Sequence, residues 1–283
     1  MSKRGWMLFL ALGVIWGMPY LLIRIAVGSI DPLVVAWGRT FIGAALLLPL
    51  AIARGALRPT LAKWRWLIVF TLVEISGPWL LLGHAETRLN SSTTGLLIAI
   101  VPLIAAVIVT RLGHDRLGAR RIAGLVIGFA GVVALVGLDI HFSDFAAVAA
   151  IALVSLGYAT GPVIIDRKLA GVPPLGVVTA SITLAMLFYA PFVAPLWPAQ
   201  PTAAAVASVV GLGIACTAAA FVLFFALIAE VGPARATVIT YVNPLVAIAL
   251  GVAFLGEPLT LGMAIGFPLV IAGSILGTGR RAA

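Results

Sequence analysis

Residues 102–135 read PLIAAVIVTRLGHDRLGARRIAGLVIGFAGVVAL, and residues 244–277 read PLVAIALGVAFLGEPLTLGMAIGFPLVIAGSILG. Laid over one another without a gap, at an offset of 142 residues, they match Pro102 to Pro244, Leu103 to Leu245, Ala105 to Ala247, Leu117 to Leu259, Gly124 to Gly266 and Ala130-Gly131 to Ala272-Gly273. Asp115 pairs chemically with Glu257. The same offset brings Pro32-Leu33 onto Pro174-Leu175 and Pro49 onto Pro191. The chain is therefore one unit written twice, and the fold follows from what that unit is made of.

It is made of lipid-soluble segments. Hydrophobic residues form 63% of the 283 and charged ones 10%, whereas a soluble domain needs about 25% charged residues to cover its surface. Apolar spans fall near 5–27, 32–53, 64–84, 93–110, 121–138, 145–165, 174–197, 204–228, 234–254 and 260–279, separated by turn-forming punctuation such as Gly28-Ser29-Ile30-Asp31-Pro32 and Gly256-Glu257-Pro258. At roughly 20 residues per crossing, ten helices use most of the length and leave no sizeable extramembrane domain. A unit of five crossings is odd, so its two copies enter the membrane in opposite senses. The expected fold is an all-α polytopic membrane protein with ten transmembrane helices as two inverted five-helix repeats, 1–140 and 141–283. Secondary transporters use this architecture, with substrate sites near the midplane between the halves.

The formal charge of +9 does not indicate a nucleic-acid partner, because the 18 basic residues form no dense run. With the N-terminus inside, all of them except Arg24, Arg39 and Arg88 fall in inward connections or at the termini, as the positive-inside rule requires of an even helix count. Both termini are predicted to be cytoplasmic, in the cytoplasmic membrane. The apolar run after Met1-Ser2-Lys3-Arg4 continues to about Val27, so it reads as an uncleaved first helix. A lone cysteine, Cys216, gives neither a disulfide framework nor a zinc pair. His84, His114 and His141 have no metal-site spacing, and there is no HExxH, GxSxG or P-loop. The chain is read as a non-enzyme without metal or cofactor, whose partners are the bilayer, a small molecule and, for one reading, protons.

Ionisable residues at depth are the functional candidates. Glu74, in the middle of the third span, reads as a proton carrier, as a contact for a substrate ammonium, or as the structural partner of Arg39. Arg39, within the second span, suits a carboxylate, either that of Glu74 or that of a substrate. Trp16, Tyr20 and Arg24 share one face of the first helix; they read as an aromatic wall ending in a cation, or as ordinary packing with Arg24 snorkelling outward. Trp79 and Tyr158 are weaker candidates of the same kind. Thr237, Thr240, Tyr241 and Asn243 gather around Pro244 in the ninth span. Pro244 and its counterpart Pro102 are expected helix breaks, freeing the carbonyls of Thr240 and Ile98 for a neighbour, water or ligand. Gly124-xxx-Gly128, Gly262-xxx-Gly266 and Gly273-xxx-Gly277 read as packing seams or a dimer face, so monomer and homodimer both stand. Glu257 is expected to cap the tenth helix.

Ile15-Trp16-Gly17, Arg24, Pro32 and Arg39 resemble the N-terminal pattern of EamA-type members of the drug/metabolite transporter superfamily. The stretch Val231-Gly232-Pro233-Ala234-Arg235, then Asn243-Pro244-Leu245 and Leu255-Gly256-Glu257-Pro258-Leu259-Thr260, is similar to that family's C-terminal repeat. The resemblance covers essentially the whole chain, with departures at Arg24, where relatives carry Lys, and at His114-Asp115-Arg116, where they show Gly-Glu. It implies a 5+5 arrangement and export of small metabolites, most often amino acids. A drug or cation antiporter working through Glu74 is the alternative, and an intramembrane enzyme a remote one. The topology is directly testable: a reporter fused after Arg281 is expected to be active only in the cytoplasm, and one in the 139–144 loop only outside. A C-terminus outside the cell would remove both the ten-helix count and the inverted repeat.

Overall fold

The structure, a computed structural model, describes residues 2–112, 118–232, 239–240 and 242–278. Ten apolar helices follow one another: α1 (Lys3–Ala26), α2 (Pro32–Ala53), α3 (Trp64–Ala85), α4 (Ser91–Arg111), α5 (Ala119–Asp139), α6 (Phe145–Lys168), α7 (Pro174–Val193), α8 (Ala203–Val231), α9 (Asn243–Leu255) and α10 (Leu261–Thr278). Eight of these segments are long and apolar enough to cross a bilayer; Asn243–Leu255 and Leu261–Leu276 are shorter apolar helices. Among the described residues there is no strand. That is what lipid dictates, because a helix satisfies its backbone groups internally.

Local chemistry sets the helix starts. Ser2 accepts from the Gly5 amide, Asp31 from the Leu33 amide, Asn90 from the Thr93 amide and Thr202 from the Ala205 amide. Pro32 and Pro174 occupy first turns, where no donor is missed. Glu257 departs from the expectation that it caps α10. Its carboxylate instead accepts from the amides of Ser91 (2.8 Å) and Ser92 (2.9 Å) and from both hydroxyls, at the start of α4. Gly256, left-handed at φ 63°, turns the chain back and aims the following residue into the first repeat. The start of α10 is served by Asp139 at the end of α5, which accepts from the Gly262 amide at 3.1 Å and from the Thr260 hydroxyl. Each repeat thus caps a helix of the other.

The packing has the pseudo-symmetry of an inverted repeat. Helices α2 and α7, α4 and α9, and α5 and α10 pack against their own counterparts; α1 on α8 recurs as α6 on α3, and α2 on α8 as α7 on α3. Helices α5 and α10 approach each other closely. A Cβ on Gly131 would lie 2.8 Å from the Gly266 carbonyl, and one on Gly273 would lie 2.3 Å from the Gly128 amide. These glycines let two backbones touch within one chain. Away from this seam α5 faces outward, with Val126 and Phe129 more than 60% exposed, as lipid-facing residues are. Trp64 and Trp66 sit at the start of α3, where Arg65 and Lys168 lie over their rings, an aromatic and basic cluster of the kind found at helix ends in membrane proteins.

The seam generates a contrast. Gly273→Val forces the two helices apart and is expected to destabilise the detergent-solubilised protein by about 1–3 kcal/mol, the usual cost of overpacking. Phe129→Ala, on the exposed side of α5, is expected to leave the melting temperature nearly unchanged. Equal shifts in thermal unfolding would contradict the α5–α10 contact.

Candidate functional site

Two helices are locally unwound at equivalent depths. In α3 the turn Thr71–Ser76 widens to a π-helix, with the Gly77 amide bonding to the Leu72 carbonyl five residues back. In α8 the same happens over Ile214–Ala219. The offset between them is 143 residues, one more than the sequence repeat. Pro78, at the first turn after the α3 bulge, has no amide to offer, which explains why the ladder slips there. No proline stands at the α8 counterpart. π-Turns expose backbone groups and widen a helix, and they recur at functional positions.

Each bulge is gripped by a helix of the opposite repeat. From α2, the Arg39 Nε donates to the Thr217 hydroxyl at 2.9 Å and Nη2 approaches the Cys216 carbonyl at 3.5 Å. The Thr217 hydroxyl in turn donates to the Leu212 carbonyl at 2.8 Å. From α7, the Tyr189 hydroxyl donates to the Ser76 carbonyl at 2.5 Å. Arg39 is 6% exposed, and its guanidinium carbon lies 3.6 Å from the centre of the Trp79 ring. Stacking on an indole face partly replaces the water a buried cation has lost.

Glu74 sits inside the α3 bulge, and its Oε2 is buried without a hydrogen-bond partner. It faces α6 at Gly161, where a Cβ would fall 1.9 Å from that oxygen; one turn away, a Cβ on Gly157 would meet the Val73 carbonyl at 2.3 Å. Gly157-xxx-Gly161 is thus a close-approach motif that brings α6 against the unwound turn. Between these glycines, Tyr158 lies close to Trp79 and in electrostatic range of both Arg39 and Glu74. Tyr20 of α1 is in range of Tyr158 and Arg39.

The structure therefore gathers Tyr20, Arg39, Glu74, Trp79 and Tyr158 at the centre of the bundle. It does not pair Arg39 with Glu74. Among the described residues no carboxylate lies within 4 Å of Arg39, and the one ion pair is between Arg4 and Glu230, at 3.9 Å. Trp16 packs among Phe221 and Phe224 of α8, with ring centres 6.0 and 4.8 Å away. Arg24 reaches the end of α3, where it donates to the backbone carbonyl of Glu86. On the other repeat, Asn243 opens α9 with its Oδ1 buried and unpartnered, and Thr240 lies just before it; Thr237 and Tyr241 lie outside the described residues. Pro102 and Pro244 each occupy the first turn of a helical segment, Val101–Arg111 and Asn243–Leu255. In α4 the interruption itself falls at Ala99 and Ile100.

Sequence reasoning missed Tyr189, Thr217 and both π-turns. Only the Gly157-xxx-Gly161 spacing and the alignment of Glu74 with Cys216 at the repeat offset carried a signal for this region.

The profile of the EamA-like transporter family matches residues 3–137 and again 145–278. The chain is 26% identical over 280 residues to the uncharacterized transporter YvbV of Bacillus subtilis, covering 95% of this chain and 90% of that protein. It is 29% identical over 260 residues to the uncharacterized inner membrane transporter YedA of Escherichia coli K12, covering 88% and 82%. To a probable terminal-alkyne amino-acid exporter of Streptantibioticus cattleyicolor it is 28% identical over 286 residues, covering 98% and 93%. A crystal structure 22% identical in sequence shares the fold over 98% of both chains with a TM-score of 0.67. Two family matches, one in each half of a ten-helix bundle, make this chain a multi-pass membrane transporter that belongs to the EamA-like transporter family.

Proposed function

We propose that this transporter exports amino acids with apolar or aromatic side chains, or related carboxylate-bearing metabolites, across the cytoplasmic membrane by alternating access. In this reading the halves 1–140 and 141–283 rock against each other, with both termini in the cytoplasm. The observation that carries the substrate class is Arg39, a buried guanidinium with no carboxylate near it among the described residues. An uncompensated buried charge costs several kcal/mol, and a substrate carboxylate supplies the missing anion in a geometry that a planar fork accepts. Trp79, Tyr158 and Tyr20 offer apolar aromatic walls, and Glu74 answers an ammonium group or carries a proton. The likeness to a probable amino-acid exporter supports the same class. A lipophilic cation, the substrate of the alternative reading, would leave Arg39 unanswered.

The test is resistance. An exporter-deficient cell expressing the protein is expected to gain resistance to toxic analogues of apolar amino acids and none to lipophilic cationic dyes. Resistance to dyes alone would overturn the substrate class. In proteoliposomes, Glu74→Gln is expected to abolish accumulation driven by a pH gradient while amino-acid exchange persists. Gradient-driven transport that survives this substitution would remove Glu74 as the proton carrier.

A further inference from the structure

Glu86 follows directly on α3, at the outer end of the bundle, where the sequence places it in an outward loop. It is instead completely buried, and neither carboxylate oxygen has a hydrogen-bond partner. Its surroundings come from both repeats. Arg24 of α1 binds its backbone carbonyl and not its carboxylate. Glu257, from the connection between α9 and α10, is held by Ser91 and Ser92. Tyr20 lies in electrostatic range on the inner side. Among the described residues, Arg24, Glu257 and Tyr20 are the charged and titratable groups that act on it. Alongside is a cavity of about 430 Å³ lined by Arg24, Val27, Thr87, Asn90, Leu255 and Glu257.

A carboxylate in this position requires a positive charge that the fold does not provide at its oxygens. With no surface of Glu86 exposed, an ammonium or a metal ion cannot reach it, but a proton can. The neighbouring Glu257, held by four hydrogen bonds, opposes a second negative charge at Glu86. Burial, offset in part by Arg24 and reinforced by Glu257, holds the Glu86 carboxyl well above the ordinary glutamate range. The same contacts close the outer face: Glu257 ties the second repeat to α4 of the first, and Arg24 ties α1 to the end of α3. Separating the repeats on this side for substrate release would expose Glu86 to outside water.

We propose that Glu86 is a proton-binding site that must be occupied for the outer side of the transporter to close. The proposal rests on the alternating-access reading, but not on the identity of the substrate. No bond other than the carboxyl O–H forms or breaks: outside water delivers the proton when the repeats are apart, and closure traps it. The sign follows from linkage. The closed form binds the proton more tightly than the open form, so it is favoured fully at low pH and loses ground as pH rises above the ordinary glutamate value of about 4.3.

The experiment reads outer opening without any substrate. Thr94 on α4 is fully buried and its hydroxyl has no partner, so Thr94→Cys in a Cys216→Ser background is a mild reporter. A membrane-impermeant thiol reagent is applied outside right-side-out vesicles between pH 5.5 and 8. Labelling is expected to accelerate with pH by up to about tenfold per unit, after correction for the reagent's own pH dependence with an exposed control cysteine. Glu86→Gln, permanently neutral, is expected to remain slow and flat. Labelling that is flat in the otherwise unchanged reporter overturns the proposal without any need for the Glu86 variant. A pH response that survives Glu86→Gln overturns it as well. The amino-acid reading fails separately, in the resistance assay, so the two are distinguishable.

Discussion

A guanidinium at the depth of Arg39 has no bulk water to turn to, and the structure is arranged around answering it. The hydroxyl of Thr217, the carbonyl of Cys216 and the face of Trp79 each replace part of its hydration. Two of these come from α8, and they are positioned by a turn that has left the α-helical ladder. Without the π-turn at Ile214–Ala219, Thr217 could not donate five residues back to Leu212 while accepting from Arg39. The buried charge, the unwound helix and the contact between repeats are therefore one feature. Its mirror image, Tyr189 on the bulge of α3, holds the other half by a neutral hydrogen bond.

This asymmetry within a symmetric frame gives the protein a direction for chemistry. Both bulges lie at the same depth, yet one carries Glu74 and the other Cys216 at the equivalent position of the repeat. The cation from α2 meets the bulge that lacks a carboxylate, and the carboxylate sits in the bulge that meets a tyrosine. The guanidinium and the carboxyl group are thereby engaged at different bulges and form no ion pair with each other. In membranes an ionisable group retained at such cost marks a pathway or a site.

The apolar helices and the two-fold repeat were legible in the sequence because hydropathy and glycine spacing are local or periodic signals. The α5–α10 seam is an example: Gly128, Gly131, Gly266 and Gly273 announce close backbones wherever they stand. Arg39, Glu74, Trp79 and Tyr158 were recognisable as candidates because polar and aromatic groups at depth are few. Their partners were not. That Arg39 turns to Thr217, and not to Glu74, depends on a helix register shifted by one residue, which no composition reveals. The carboxylate of Glu257 was assigned to the nearest helix start, α10, but a left-handed Gly256 sends it to α4. Glu86 looked like an ordinary loop residue because its burial is produced by helices from both halves.

The central claim is that Arg39 receives the carboxylate of the substrate, and binding to the purified protein tests it most directly. Calorimetry would compare an apolar amino acid with the amine obtained by removing its carboxyl group, on the unaltered protein and on Arg39→Lys, which keeps the charge but loses the planar fork and the stacking on Trp79. The amino acid is expected to bind and its amine to bind at least about tenfold more weakly, a loss of roughly 1.4 kcal/mol or more; Arg39→Lys should weaken the amino acid and leave the amine unchanged. Equal binding of amino acid and amine, insensitive to Arg39→Lys, would contradict the account.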